Sequence, residues 1–235
     1  VVYFVRKNDS LLHFVKPVFD RRVFLKTCTN GSSELMTNLS MSLVNALYNL
    51  QLMKIAGENG VAAYGAVMYV NFIFVATFLG YAIGCAPVIS YHYGAGNHAE
   101  LKNLYKKSMS IILVWGVILF GAAQLLAPVL SKIFVGYNTG LYAMTLHGFR
   151  VYAIAFLIIG INIFGSSFFT ALNNGLISAV ISFLRTLMFQ VIMVLTLPLW
   201  FGINGIWSAI SVAEALTLIM TTTFFVRQKD KYHYL

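Results

Sequence analysis

The sequence predicts an all-α integral membrane protein in which six transmembrane helices form one bundle. Of the 235 residues, 59% are hydrophobic, and the mean hydropathy is +0.79. Only 10% are charged, against about 25% in soluble domains. Six apolar stretches also reach the roughly 20 residues that a helix needs to cross a bilayer. A water-soluble protein could not bury this much apolar surface, so we expect the lipid bilayer to be its surroundings.

The predicted elements follow one another with short, turn-like connections. Residues 1–26 are expected to hold the end of a preceding helix and a charged cytosolic linker, residues 27–226 the bundle, and residues 227–235 a basic cytosolic tail. The connections AGENG, GAGNHAELKNLYKK, VGYNTG, NNG and GING are rich in glycine and asparagine and separate the apolar stretches. The predicted spans are 31–53, 61–91, 109–131, 146–172, 176–200 and 206–226.

The distribution of lysine and arginine predicts the orientation. Basic residues cluster before the first span, in the loop after the second span and in the tail, whereas the other side has mainly Lys54 and Lys132 at helix ends. Cytosolic loops carry such an excess. We therefore expect a multi-pass protein of the plasma (cytoplasmic) membrane with both ends of this chain cytosolic. The net charge of +9 does not indicate nucleic acid, because these charges sit at the ends of the apolar runs.

A stripe of polar side chains runs down one face of the first span. At 100° per residue its members fall within about a 100° arc, while the other faces are mostly Leu, Met, Val and Ala. Such a stripe faces either a neighbouring helix or a water-filled path for substrate. Glu34 lies about one turn inside the cytosolic end, which favours a gate or ion-coupling role at the entrance. The stripe consists of Glu34, Asn38, Met41, Ser42, Asn45 and Asn49.

The fourth span repeats this pattern with small polar groups and aromatic rings. Asn162, Ser166, Phe169 and Asn173 fall on one arc. A cavity for flat organic molecules combines aromatic area with a few orienting polar groups, so these residues are candidates for lining a cleft opposite the first span. The alternative is tight helix packing through Gly165 and Ser166.

Two opposite charges are predicted at the middle of the membrane. Arg185 lies about ten residues into the fifth span, and Glu214 lies at a similar depth in the sixth, across the short GING turn. An unpaired charge at that depth is costly, so we expect the two residues to form an ion pair. That pair is either purely structural or a site that couples to a proton or another cation.

Motifs of enzymes are absent from the sequence, which contains no P-loop, GxSxG, HExxH or CxxC. Cys28 and Cys85 stand apart, without the spacing of a disulfide framework or a metal site. We therefore expect no catalytic residues, no metal and no cofactor other than a coupling ion. Transport without a nucleotide site would be driven by an ion gradient or a partner.

Three blocks of the chain resemble the multidrug and toxic compound extrusion (MATE) family. They are GSSELMTNLSMSLVNALYNLQLM (31–53), residues 62–101 with GYAIGCAP followed by YGAGN, and LPLWFGINGIWSAISVAEALT (197–217). The resemblance implies the second six-helix bundle of a twelve-helix transporter, with a partner bundle that would precede this chain. It also implies export of organic cations or other small amphipathic substrates in exchange for protons or sodium, by alternating access.

The chain departs from one branch of that family at two places. That branch has a carboxylate in the middle of helix seven and another acid in helix ten, whereas this chain offers Met41 and the region of Asn162 and Ser166. Two alternative functions remain open. A flippase of lipid-linked saccharides from the same superfamily would need cationic cleft residues, and a scaffold subunit would have its polar stripe fully occupied by helix contacts.

Overall fold

A computed structural model describes residues 19–234 of the chain, which are helical apart from short connections. The predicted end of a preceding helix and most of the predicted linker lie outside these residues. The helices are α1 (Arg21–Gly94), α2 (His98–Val135), α3 (Thr139–Ala153), α4 (Phe156–Ala171), α5 (Gly175–Phe183), a π-helical segment (Leu184–Met188), α6 (Phe189–Phe201) and α7 (Ile203–Tyr232).

Four helical stretches of the described chain are long and apolar enough to cross a membrane. The pair α3 and α4, which bends by 48° at its junction, makes a fifth candidate. These spans confirm the prediction of an all-helical, multi-pass membrane protein. One stretch, Asn38–Gly94, has 57 residues and would be about 85 Å long if straight, far more than the roughly 30 Å of a bilayer core.

The long helix α1 is broken at Gly57 and folds back on itself. Gly57 has φ 62° and ψ −154°, a conformation that is essentially restricted to glycine. The hydroxyl of Tyr64 donates to Oδ1 of Asn45 at 3.0 Å, and the rings of Tyr48 and Tyr64 stack with centroids 5.0 Å apart. Residues 19 positions apart in a straight helix would be about 28 Å apart. Residues 21–56 (the first arm) and 58–94 (the second arm) therefore form a hairpin at the predicted AGENG turn.

The predicted fourth span starts earlier than expected and is bent. Helix α3 begins at Thr139, where the side chain of Asn138 accepts a hydrogen bond from the backbone of Leu141. At the junction of α3 and α4 the backbone forms tight bonds, from Ile154 N to Val151 O and from Ala155 N to Tyr152 O. Such i to i−3 bonds belong to a 3₁₀ turn, which often marks a hinge within a helix.

The predicted loop at 94–107 was too long, and helix also reaches into the predicted linker, because capping residues extend the helices. Asn97 accepts a hydrogen bond from the backbone N–H of Glu100, so α2 begins at His98 and the basic residues up to 107 are helical rather than part of a loop. The side chain of Asp20 likewise accepts from Arg22 N, and α1 begins there, inside the predicted linker. Side-chain caps of this kind satisfy the first free N–H groups of a helix.

In the core of the bundle, aromatic side chains pack directly against the backbone at glycine residues. A Cβ atom at Gly160 would lie 2.4 Å from the ring of Phe78, and one at Gly148 would lie 2.5 Å from the ring of Trp207. Two serine hydroxyls also join α4 to the second arm, because Ser90 donates to Ala171 O and Ser167 donates to Ala82 O. These contacts place α4 against the second arm and α3 against α7.

Candidate functional site

The predicted ion pair between Arg185 and Glu214 is confirmed. Nε of Arg185 donates to Oε1 of Glu214 at 2.9 Å. The side chain of Glu214 is 1% exposed and that of Arg185 is 14% exposed. Arg185 lies ten residues from the start of α5 and Glu214 eleven from the start of α7, about 15 Å along each helix. Both charges thus lie at the mid-depth that the sequence predicts.

Asn162 completes this site from α4. Its Nδ2 atom donates to Oε2 of Glu214 at 2.7 Å and to the backbone carbonyl of Glu214 at 3.0 Å. The two carboxylate oxygens of Glu214 therefore have different donors, one cationic and one neutral. We call Asn162, Arg185 and Glu214 the buried triad. It joins three helical elements in the middle of the bundle.

The backbone around Arg185 departs from a regular α-helix. Residues Leu184–Met188 form a π-helical segment between α5 and α6, within what the sequence predicts as one continuous span. The extra residue of a π-helical turn changes the direction of the side chains that follow, and such turns are frequent at functional sites. Here the segment carries the cation of the buried triad.

Buried polar atoms without hydrogen-bond partners lie on α4 and α7, the two helices that carry Asn162 and Glu214, within the described residues. Asn162 and Thr221 are fully buried, and Trp207 is nearly so. Their unpaired atoms are Oδ1, Oγ1 and Nε1, and Oγ of Ser211, one turn before Glu214, is also unpaired. Buried polar groups normally have partners, so these atoms are free to bind a polar ligand or water inside the bundle. The part of the chain that the structure describes contains no group of three or more His, Cys, Asp or Glu residues suited to a metal ion.

A continuous set of hydroxyl groups lies between α4 and α5. Oγ1 of Thr170 is 2.6 Å from Oγ of Ser178, which is 2.9 Å from Oγ of Ser166, which is 2.8 Å from Oγ of Ser182. We call these four residues the hydroxyl chain. Ser166 was a predicted site residue, but its three partners were not.

The polar stripe of the first arm is largely exposed, with one contact to the second arm. Asn38, Asn45 and Asn49 are exposed, and Met41 is 51% exposed. Tyr48, on another face of the same arm, is buried. Asn45 accepts from Tyr64, and Nδ2 of Asn49 donates to the carbonyl of Asn45. The side chain of Glu34 lies outside the described residues, and the stripe's role as cleft lining stays a prediction.

The four predicted residues of the fourth span have different surroundings. Asn162 binds Glu214, whereas Ser166 belongs to the hydroxyl chain. Phe169 is fully buried and stacks on Phe225 with ring centroids 5.4 Å apart. Asn173 is exposed at the turn after α4, with φ 58°. The close packing through Gly165 that the sequence left open is present, because a Cβ there would lie 2.5 Å from Cγ2 of Thr221.

The sequence profile of the MatE family matches residues 35–196. The chain belongs to this family. Solved structures of MATE proteins share its fold at low sequence identity. A MATE protein in complex with MaL6 has a TM-score of 0.89 at 19% identity, with 100% of this chain and 53% of that chain covered. No curated protein matches the chain.

Two further MATE-like structures support the same fold assignment. An outward-facing multidrug resistance MATE family transporter of the MOP superfamily has a TM-score of 0.84 at 20% identity, covering 95% of this chain and 51% of that one. A MOP superfamily transporter from Pyrococcus furiosus has a TM-score of 0.83 at 19% identity. That match covers 94% of this chain and 50% of the other chain. The chain therefore spans about half the length of these MATE neighbours, and its family is one of membrane transporters.

Proposed function

We propose that the chain is the second six-helix bundle of a secondary antiporter in the cytoplasmic membrane. It would export organic cations or other amphipathic compounds in exchange for protons or sodium, with both chain ends in the cytosol and a further six-helix bundle completing the transporter. The hairpin at Gly57 supports six crossings, because it divides the 57-residue stretch Asn38–Gly94 into two arms. The observation that carries the proposal is the buried triad, which holds the carboxylate of Glu214 inside a transporter fold.

The triad supports coupling because its charge balance depends on one proton. Glu214 and Arg185 neutralise each other while Glu214 is ionised. Protonation of Glu214 would leave a buried arginine unpaired, and removing one partner of a buried ion pair costs about 3–5 kcal/mol. A second arrangement in which the arginine regains a partner or water would then be favoured. The π-helical segment and the 48° bend before α4 are the two places where the helices could adjust.

The geometry favours a proton over sodium at this site. Hard cations are held by several oxygen ligands, whereas both carboxylate oxygens of Glu214 already accept N–H donors. A metal cation there would have to displace Arg185. A proton needs only to bind one oxygen, so we propose proton coupling for the triad.

The exposed stripe of the first arm supports a path for substrate. Asn38, Met41, Asn45 and Asn49 would line a cleft between this bundle and the other, with Glu34 at the cytosolic entrance. Labelling of Asn45→Cys by a water-soluble maleimide in intact membranes tests this, with buried Val44→Cys as the control. Labelling at 45 and not at 44 supports a cleft. No labelling at 45 favours the scaffold alternative.

The flippase alternative is weakened by the same ion pair. A lipid-linked diphosphate needs cationic groups free to bind it, and Arg185 is held by Glu214. In addition, none of the three described helical elements that carry the triad supplies a second cation at that depth.

Transport by the complete protein in proteoliposomes tests the main proposal. We expect inward flow of protons to drive a fluorescent organic cation such as ethidium in the opposite direction. A protonophore should abolish that movement. Glu214→Gln should abolish proton-driven transport, whereas the control Glu58→Gln, at an exposed site in the turn, should not. Ethidium movement that is unaffected by dissipating both proton and sodium gradients would overturn the proposal.

A further inference from the structure

We propose that the hydroxyl chain of Thr170, Ser178, Ser166 and Ser182 conducts protons between Glu214 and the cytosolic end of the bundle. This inference rests on the proposed proton coupling at Glu214 and adds the path by which the proton leaves. It concerns the interface of α4 and α5, which the ion pair itself does not use.

The first argument is continuity. Each of the three links in the chain joins two hydroxyl oxygens at 2.6–2.9 Å, within the range of O–H···O hydrogen bonds. Ser178 and Ser182 are 0% and 4% exposed, and Ser166 and Thr170 are half-buried, so most of the path is enclosed between α4 and α5. The oxygen of a hydroxyl group can donate and accept at the same time, whereas a carbonyl oxygen can only accept.

The second argument is that one end of the chain reaches the buried triad. Asn162 lies one helical turn before Ser166 on α4, and residues four apart share one face of a helix. Oδ1 of Asn162 has no hydrogen-bond partner in the described part of the chain, although Nδ2 of the same amide binds Glu214 at 2.7 Å. Ser182 likewise lies one turn before Arg185. The amide of Asn162 thus offers an acceptor for a water molecule between Ser166 and the carboxyl group.

The third argument is that the other end reaches the cytosolic turn. Thr170 and Ser178 lie next to the connection between α4 and α5, where Asn173 is exposed. Nδ2 of Asn174 donates to the hydroxyl of Tyr232 at the end of α7, which places this turn on the side that carries the basic tail. From Asn174 to Arg185 the path covers eleven residues, or about 16 Å, roughly half of the bilayer core.

The proton balance of the step is simple. The O–H bond of protonated Glu214 breaks, and the proton passes to the neighbouring water. Each hydroxyl oxygen then accepts one proton and releases its own to the next oxygen, until water at the turn takes the last one. No electrons are transferred and no other bond changes. Glu214 is left ionised and pairs again with Arg185.

Removal of one hydroxyl tests the path. In the complete transporter in proteoliposomes, substrate-coupled proton flux is followed with an internal pH dye, and substrate binding and thermal stability are measured in parallel. Ser178→Ala should lower proton flux by about tenfold or more with substrate affinity retained, and Ser178→Thr, which keeps a hydroxyl, should restore it. The control is Thr145→Val, a buried hydroxyl that bonds only to Leu141 O in its own helix.

The outcomes separate this inference from the proposed function. Normal proton flux in Ser178→Ala, or an equal loss in Thr145→Val, would overturn the path while leaving Glu214 as the coupling residue. Absence of proton flux in the unaltered transporter would overturn both. If Ser178→Ala does not fold, Thr170→Val removes the hydroxyl on the other side of the same link, since Oγ1 of Thr170 lies 2.6 Å from Oγ of Ser178, and the same loss of flux is expected there.

Discussion

Glu214 accepts a hydrogen bond from Nδ2 of Asn162 at 2.7 Å through Oε2, while its Oε1 atom is bound by Arg185 at 2.9 Å. The carboxylate is therefore held from two sides by groups on different helices, inside a bundle that leaves it almost no accessible surface. A buried charge in such a setting depends on both partners, and this dependence gives each partner a distinct expected phenotype.

A double-mutant cycle tests the coupling of Arg185 and Glu214. Glu214→Gln leaves the guanidinium unpaired at mid-membrane, so we expect a loss of about 3–5 kcal/mol in the free energy of unfolding. The double variant Glu214→Gln, Arg185→Gln removes both charges and should lose less than the single one. Thermal unfolding of detergent-solubilised protein and transport rates give the comparison. A double variant as damaged as, or more damaged than, Glu214→Gln would contradict the pairing energy inferred here.

Asn162 should contribute to stability and to proton-driven transport through its two hydrogen bonds to Glu214. Asn162→Ala removes the donor to Oε2 and to the backbone carbonyl, which should cost about 1–3 kcal/mol in the free energy of unfolding and reduce proton-driven transport. Asn59→Ala is the matched control, because that amide is exposed beside the hairpin at Gly57 and belongs to no proposed site. Equal stability of the two variants in a thermal unfolding assay would argue against a supporting role for Asn162.

The close approach of α4 and α7 at Gly165 gives a prediction about packing. A methyl group there would lie 2.5 Å from Cγ2 of Thr221, so Gly165→Ala should destabilise the bundle by about 1–3 kcal/mol. Thr221→Ser removes that methyl group, and the double variant should recover much of the loss in the same unfolding measurement. An additive loss in the double variant would show that the helices do not meet at this point.

The sequence was sufficient for features that depend on one helix or one short turn. The depth of Arg185 and Glu214 follows from counting residues from the starts of the fifth and sixth spans, and the hairpin follows from AGENG. The partner of Asn162 could not be predicted, because the direction in which α4 faces depends on the bend at Ile154 and Ala155, and no proline or glycine marks that bend. Sequence periodicity assigns a residue to one face of its helix, but it does not identify which other helix packs against that face.

The hydroxyl chain did carry a signal in the sequence. Thr170 and Ser178 each lie four residues from Asn174, and Ser166 and Ser182 each lie eight residues from it. In an antiparallel pair of helices joined at Asn174, positions at equal distances from the turn meet, as the 2.6 Å and 2.8 Å contacts show. This symmetry about a turn is a usable criterion for finding polar contacts between consecutive helices.

The end of the predicted basic tail packs against the bundle. Helix α7 continues to Tyr232, and His233, with φ 55°, turns the chain back. Tyr234 is then fully buried, with its ring 5.0 Å from that of Phe168, and its hydroxyl donates to Phe225 O at 2.8 Å. Burial, together with the neighbouring hydroxyls of Tyr105 and Tyr232, raises the pKa of Tyr234 above its usual value of 10.

This environment predicts how the stability of a Tyr234→Phe variant depends on pH. The folded protein holds the neutral phenol, so the stabilisation is fully present below pH about 10, where the unfolded chain begins to ionise, and is lost as pH rises further. Tyr234→Phe should therefore cost about 1 kcal/mol at pH 8, from the lost hydrogen bond, and the difference from the unaltered protein should shrink above pH about 10. Tyrosines that are not coupled to Tyr234 cancel in this difference. Thermal unfolding between pH 8 and 11 measures it, with Tyr137→Phe, at a position that is 82% exposed, as the control. A constant difference across this range would mean that Tyr234 titrates alike in the folded and unfolded chain, and hence that the tail does not pack as described.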